Sequence, residues 1–162
     1  LEFRAGDIAG FHPDGPVHLA ISLHACDTAT DDALAAAIGW GCRAILAVPC
    51  CQQELHRQLR ADAAPGLTDY GLFRERLAAM ATDALRAQFL EASGYKTQVL
   101  EFIELEHTPK NVLLRAVRRI TRDAAAESAA RDKIARLKRL LGVSTWRLEE
   151  QAAIAPQCER NP

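Results

Sequence analysis

Residues 17–51 read VHLAISLHACDTATDDALAAAIGWGCRAILAVPCC, and the punctuation within them decides the fold. Val17 to Leu23 is a short apolar run and Cys42 to Val48 is a second, both of strand length. Between them, Thr28-Ala29-Thr30-Asp31-Asp32 supplies N-cap candidates and first-turn acids for a helix from about Ala33. Gly39 and Gly41 stop that helix, and Pro49 closes the second strand. A strand, a helix and a strand in this order predict two parallel strands with a crossover. Their nearly continuous apolar character predicts burial on both faces.

Upstream, Arg4 to Ile8 reads as a further strand ending in a turn at Gly6-Asp7, and Pro13-Asp14-Gly15-Pro16 as a loop. Downstream, a polar Pro/Gly linker over 61–69 leads into a long amphipathic helix. Phe73, Leu77, Met80, Ala81, Leu85 and Phe89 form its apolar side, with Arg74, Glu75, Arg86 and Glu91 opposite and Gly94 as its stop. Thr97 to Leu105 and Val112 to Val117 read as strands joined by Glu106-His107-Thr108-Pro109-Lys110-Asn111, a loop short enough to require an antiparallel hairpin. A helix from about Asp123, striped by Ile134, Leu137 and Leu141, stops at Gly142, and the tail from Thr145 carries no pattern. The expected fold class is α/β, a mostly parallel sheet with a C-terminal antiparallel hairpin at one edge.

Composition sets the outer bounds. The chain has 162 residues, 49% hydrophobic and 25% charged, which is the usage of an ordinary globular domain and excludes disorder or a fibre. Its longest apolar runs, such as Ala44 to Val48, are too short to cross a bilayer, so no membrane association is expected. No charged-then-apolar leader is visible, although a chain that begins Leu1-Glu2-Phe3 lends that observation little weight. Cysteine is odd in number at five, with Cys50 and Cys51 adjacent; this makes a poor disulfide framework and suits a reducing, cytoplasmic location. A net charge of −1 excludes whole-molecule attraction to nucleic acid, yet the charge is uneven. Residues 1–35 hold Glu2, Asp7, Asp14, Asp27, Asp31 and Asp32 against Arg4 alone, whereas residues 110–139 carry ten bases against three acids. The basic segment is either a solvated helix face or a patch for phosphate or an acidic partner.

Ligands of open α/β sheets sit beyond the carboxyl ends of the parallel strands. That rule brings Gly6-Asp7-Ile8, His24-Ala25-Cys26-Asp27, Pro49-Cys50-Cys51-Gln52 and the hairpin loop 106–111 to one rim. Each segment also has a plainer reading. Asp7 is a turn or surface acid, or else a carboxylate that accepts a hydrogen bond from an adenine amine. Cys50 and Cys51 read first as small buried hydrophobes. With His24 and Cys26 they also suit a soft metal. No C-x-x-C pair is present, however, and adjacent strand residues point to opposite faces, so no metal site is expected. A nucleophilic cysteine beside His24 or His107 lacks any surrounding signature. No glycine-rich phosphate loop occurs in these residues.

ISLHACDTATDDAL (21–34), AILAVPCCQQEL (44–55) and EFIELEHTPKNVLLRAV (101–117), in that order, resemble motifs of class I S-adenosylmethionine-dependent methyltransferases. More narrowly, they are similar to the methyltransferase-like group that includes the C-terminal domain of the glutathione-S-transferase-C-terminal-domain-containing protein. The resemblance implies a Rossmann-like sheet and S-adenosylmethionine as cofactor. It places Asp7 and Ile8 near the adenine, and His24, Ala25, Cys26 and Asp27 along the methionine and the methyl group. Pro49, Cys50, Cys51, Lys110 and Asn111 would line the acceptor pocket. Aligning donor and acceptor contributes roughly 7–11 kcal/mol, so a catalytic base is not obligatory; if one acts, His24 is favoured over His107. The family's glycine-rich first loop has no counterpart here. Residues 1–120 therefore read as the C-terminal portion of a methyltransferase domain with its N-terminal strands missing, and 121–162 as a C-terminal helix and tail. Such a fragment is expected to be inactive alone and to leave Val17 to Leu23 as an unpaired apolar edge. The acceptor is unidentified, with RNA a candidate through Arg115, Arg118, Arg119 and Arg122. The alternative is a non-catalytic interaction module that docks a partner on its basic helix.

Overall fold

The computed structural model describes residues 2–101 and 112–154. Four strands build its sheet: β1 (Leu19–Leu23), β2 (Ala44–Val48), β3 (Tyr95–Glu101) and β4 (Val112–Arg118), in the order β1-β2-β4-β3. β1 and β2 run parallel around α1 (Thr28–Gly39), as the crossover of residues 17–48 predicts. β3 and β4 pair antiparallel from Tyr95–Arg118 to Glu101–Val112, the expected hairpin. Its position departs from expectation. β4 slots between β2 and β3 and runs antiparallel to both, so the sheet is mixed rather than mostly parallel. A short connection dictates that hairpin strands pair with each other, not which of them meets the rest of the sheet.

The segment Arg4 to Ile8 is not a strand. Asp7 caps a single 3-10 turn, Ile8–Gly10, by accepting a hydrogen bond from Ala9 N at 3.1 Å. The local Asx bond outcompetes a ladder in this short exposed stretch. α1 begins at Thr28, five residues before the expected start, because His24 (φ 54°) and Asp27 (φ 48°) turn the chain straight from β1 into the helix.

Register explains the core. Ala20, Ile45, Ala47, Leu114, Ala116 and Tyr95 project to one face, where α1 and α3 (Gly71–Ala92) cover them. Ala33, Ala35 and Ala37 are buried in α1, small enough to bring that helix close to β2. A fully buried leucine or isoleucine such as Leu34, Ile45, Leu85, Leu90 or Leu114 contributes about 1.5–3 kcal/mol. α4 (Ala124–Leu141) packs on α3, starting at Asp123 and ending at Gly142 in the left-handed region (φ 74°), as its sequence signals direct.

Three further departures concern helices. A short α2 (Gln53–Gln58) follows β2, and the featureless tail contains α5 (Arg147–Ile154), which packs on α1. Trp146, just before α5, is fully buried and meets Phe89 edge to face at 5.6 Å. The apolar side of α3 is rotated from the predicted one: Met80 is 66% exposed, whereas Arg86, assigned to the polar side, is fully buried.

The other face of the sheet carries no helix among the described residues. Leu19, Ile21 and Leu23 on β1 are 49, 58 and 66% exposed there, so β1 is an edge strand half open to solvent rather than one buried on both faces. Among the described residues, no helix is long and apolar enough to cross a membrane.

Candidate functional site

The carboxyl ends of β1 and β2 lie side by side, joined past the last ladder pair by His24 N donating to Val48 O at 3.0 Å. The loops leaving them, His24–Asp27 and Pro49–Gln52, form the rim. Two left-handed residues that are not glycine, His24 and Asp27, fall within four positions, a costly arrangement that persists only where the surroundings hold it. Thr30 Oγ1 donates to Ala25 O at 2.6 Å, and Asp27 Oδ1 accepts from Glu54 N at 3.1 Å, which ties the first loop to the start of α2.

Arg86 is the main support. Its guanidinium donates to both oxygens of Asp31, at 2.9 and 2.8 Å, to Asp83 Oδ1 at 3.1 Å and to the carbonyl of Asp27 at 2.9 Å. Asp83 in turn accepts from Gln52 Nε2 at 3.2 Å, so one buried cation braces both rim loops from below. Burial pushes the Asp31 and Asp83 carboxyls above the usual range, against the pull of Arg86. Sequence reading missed this group because Arg86 fell on the presumed polar side. The signal was present in Asp83 and Arg86 at i, i+3 amid the apolar positions of α3.

On the rim, the sulfurs of Cys26 and Cys50 stand 3.6 Å apart, and those of Cys26, Cys50 and Cys51 all lie within 4.8 Å of one another. β2 ends at Val48, so Cys50 and Cys51 are loop residues and the alternation that would separate their side chains does not apply. Burial and the neighbouring thiols push the Cys50 thiol up to about 12, which makes it a poor free nucleophile at neutral pH.

Two of the four predicted rim segments therefore come together: His24, Ala25, Cys26 and Asp27 with Pro49, Cys50 and Cys51. Asp7 and Ile8 do not join them through the sheet. They are exposed in their own turn, with Asp7 committed to Ala9 N. His107, Lys110 and Asn111 lie outside the described residues.

A cavity of about 1320 Å³ lies elsewhere. It opens at the amino ends of β1 and β2, beside His18, Arg43 and Arg118, and runs between the helices. The basic segment sits at that end and much of its charge is paired. Arg119 bonds Glu91, Arg122 and Arg131 reach Glu127, and Lys138 bonds Glu149.

Residues 1–58 match the family model of a methyltransferase domain, the stretch that holds both rim loops. The match covers little more than a third of the chain and ends within α2. No curated protein and no solved structure matches the chain.

Proposed function

We propose that this chain supplies the methyl-transfer side of an S-adenosylmethionine-dependent methyltransferase, of the narrower group that its motifs resemble. The observation that carries the reading is the methyltransferase-domain match over residues 1–58, which spans both loops of the rim. In this reading His24–Asp27 lies along the methionine and the methyl group, Pro49–Cys51 faces the acceptor, and the second carboxylate oxygen of Asp7 is a candidate for the adenine amine. The cofactor supplies the activated methyl group. The chain's residues orient it, and His24, exposed on the rim, is the candidate base for an acceptor proton. RNA is the acceptor class we favour. Arg115, Arg118 and Arg122 are exposed, but Arg118 and Arg122 sit at the far end of the sheet, so an RNA engaging both ends spans about 17 Å of strand.

The test is His24→Asn in the whole protein, asparagine being chosen because it tolerates the positive φ at this position. Turnover with labelled S-adenosylmethionine should fall by about 10²–10⁴-fold while calorimetric affinity for the cofactor holds. Equal loss of both makes His24 a cofactor contact instead. Neither transfer nor cofactor binding by the unsubstituted protein would overturn the enzyme reading and favour the non-catalytic interaction module.

A further inference from the structure

We propose that Cys26, Cys50 and Cys51 form a binding site for one thiophilic d10 cation, Zn²⁺ foremost. Their sulfurs lie within 4.8 Å of one another, with Cys26 and Cys50 at 3.6 Å. Zinc–thiolate bonds of about 2.3 Å put the sulfurs of a tetrahedral site about 3.8 Å apart, so a single ion fits this spacing with small adjustments. Sulfur ligands select soft cations over magnesium, calcium or manganese, and the protein donors on offer are thiols.

The supporting frame is rigid where a metal site needs it. Cys26 lies between two residues held at positive φ, and its loop is fastened by Thr30, by Glu54 N and by the buried Arg86. Cys50 and Cys51 follow directly from β2, with the next residue, Gln52, bonded to Asp83. Cys26 also sits two residues before the first turn of α1, whose positive end favours the surplus negative charge of three thiolates on a divalent ion. As neutral thiols the three sulfurs gain little from one another, because S–H is a weak donor. Three protein ligands with one place left over is the pattern of zinc sites that take part in chemistry rather than only in folding. The ion clamps the loop after β1 to the loop after β2 and offers its remaining place to a donor atom of solvent or of a ligand. None of this depends on methyl transfer.

The experiment titrates separate samples of the reduced full chain, without oxygen, one with Zn²⁺ and one with Co²⁺ as a spectroscopic probe. One equivalent should bind, with thiolate-to-cobalt charge-transfer absorption. Serine at Cys26, Cys50 or Cys51 should abolish that absorption, and Cys158→Ser should leave it. Alkylation mapping on the unsubstituted protein keeps the test independent of whether the variants fold: Zn²⁺ should slow the reaction of Cys26, Cys50 and Cys51 with iodoacetamide and leave the rate at Cys158 unchanged. Absence of the charge-transfer band in the reduced protein, or alkylation of the three cysteines at the same rate with and without Zn²⁺, overturns the site.

Discussion

Arg86 shows how much one side chain can decide. It is fully buried and holds Asp31, Asp83 and the carbonyl of Asp27, so its removal strands two buried carboxyls beneath the rim. Arg86→Met should cost about 3–5 kcal/mol of stability. The pH dependence has a definite sign. Without the guanidinium, the carboxyls of Asp31 and Asp83, already raised by burial, rise further, and the native state keeps protons that the unfolded chain gives up. Stability of the variant then falls as pH rises through and beyond the ordinary carboxylate range. Its deficit against the unsubstituted chain, read from urea midpoints, should be larger at about pH 7 than at about pH 4.5. An equal deficit at both would mean that Arg86 acts by packing alone. This role was hidden in the sequence because the apolar stripe of α3 can be drawn at more than one rotation. Only its tertiary neighbours, the sheet, α2, α4 and the Asp31 carboxylate of α1, select the rotation that buries residue 86.

Among the elements, β3 is fastened to the start of β2 by Tyr95, buried on the covered face, whose hydroxyl donates to Cys42 O at 2.9 Å. Burial raises this phenol to about 12, against about 10 in an unfolded chain. The folded state therefore favours the neutral form, and the fold is destabilised as pH rises from about 10 to about 12. That alkaline penalty amounts to about 2–3 kcal/mol. Tyr95→Phe should lose about 1 kcal/mol at neutral pH and flatten the alkaline limb of the stability profile, measured by circular dichroism. An unchanged alkaline limb would assign that limb to other groups. The hairpin itself was readable, since a short polar loop between two apolar runs is a local signal. The insertion of β4 between β2 and β3 was not, because it depends on pairing between strands separated by the whole of α3.

For the whole molecule, the one-sided sheet has the largest consequence. Helices cover one face, and Leu19, Ile21 and Leu23 stand open on the other, on a strand whose outer edge is unpaired among the described residues. Apolar edge strands of this kind template association. Ile21→Lys should reduce concentration-dependent association in sedimentation velocity while changing stability by no more than about 0.5 kcal/mol, as for a surface substitution. Association at an undiminished level would place its cause outside β1. The expectation that Val17 to Leu23 exposes an apolar edge agrees with this arrangement, although its double-sided burial does not.

The sequence by itself determined the strand–helix–strand unit of residues 17–48, the hairpin, and the limits of α4 at Asp123 and Gly142. Apolar runs, caps and left-handed glycines act over a few residues and need no distant partner. Tertiary structure decided what depends on neighbours far apart in the chain. Cys26 meets Cys50 across 24 positions, Arg86 meets Asp31 across 55, and Trp146 is buried against Phe89. The spacing argument against a thiol cluster failed for the same reason. Strand alternation holds only while the strand lasts, and β2 stops at Val48, where its ladder with β1 ends.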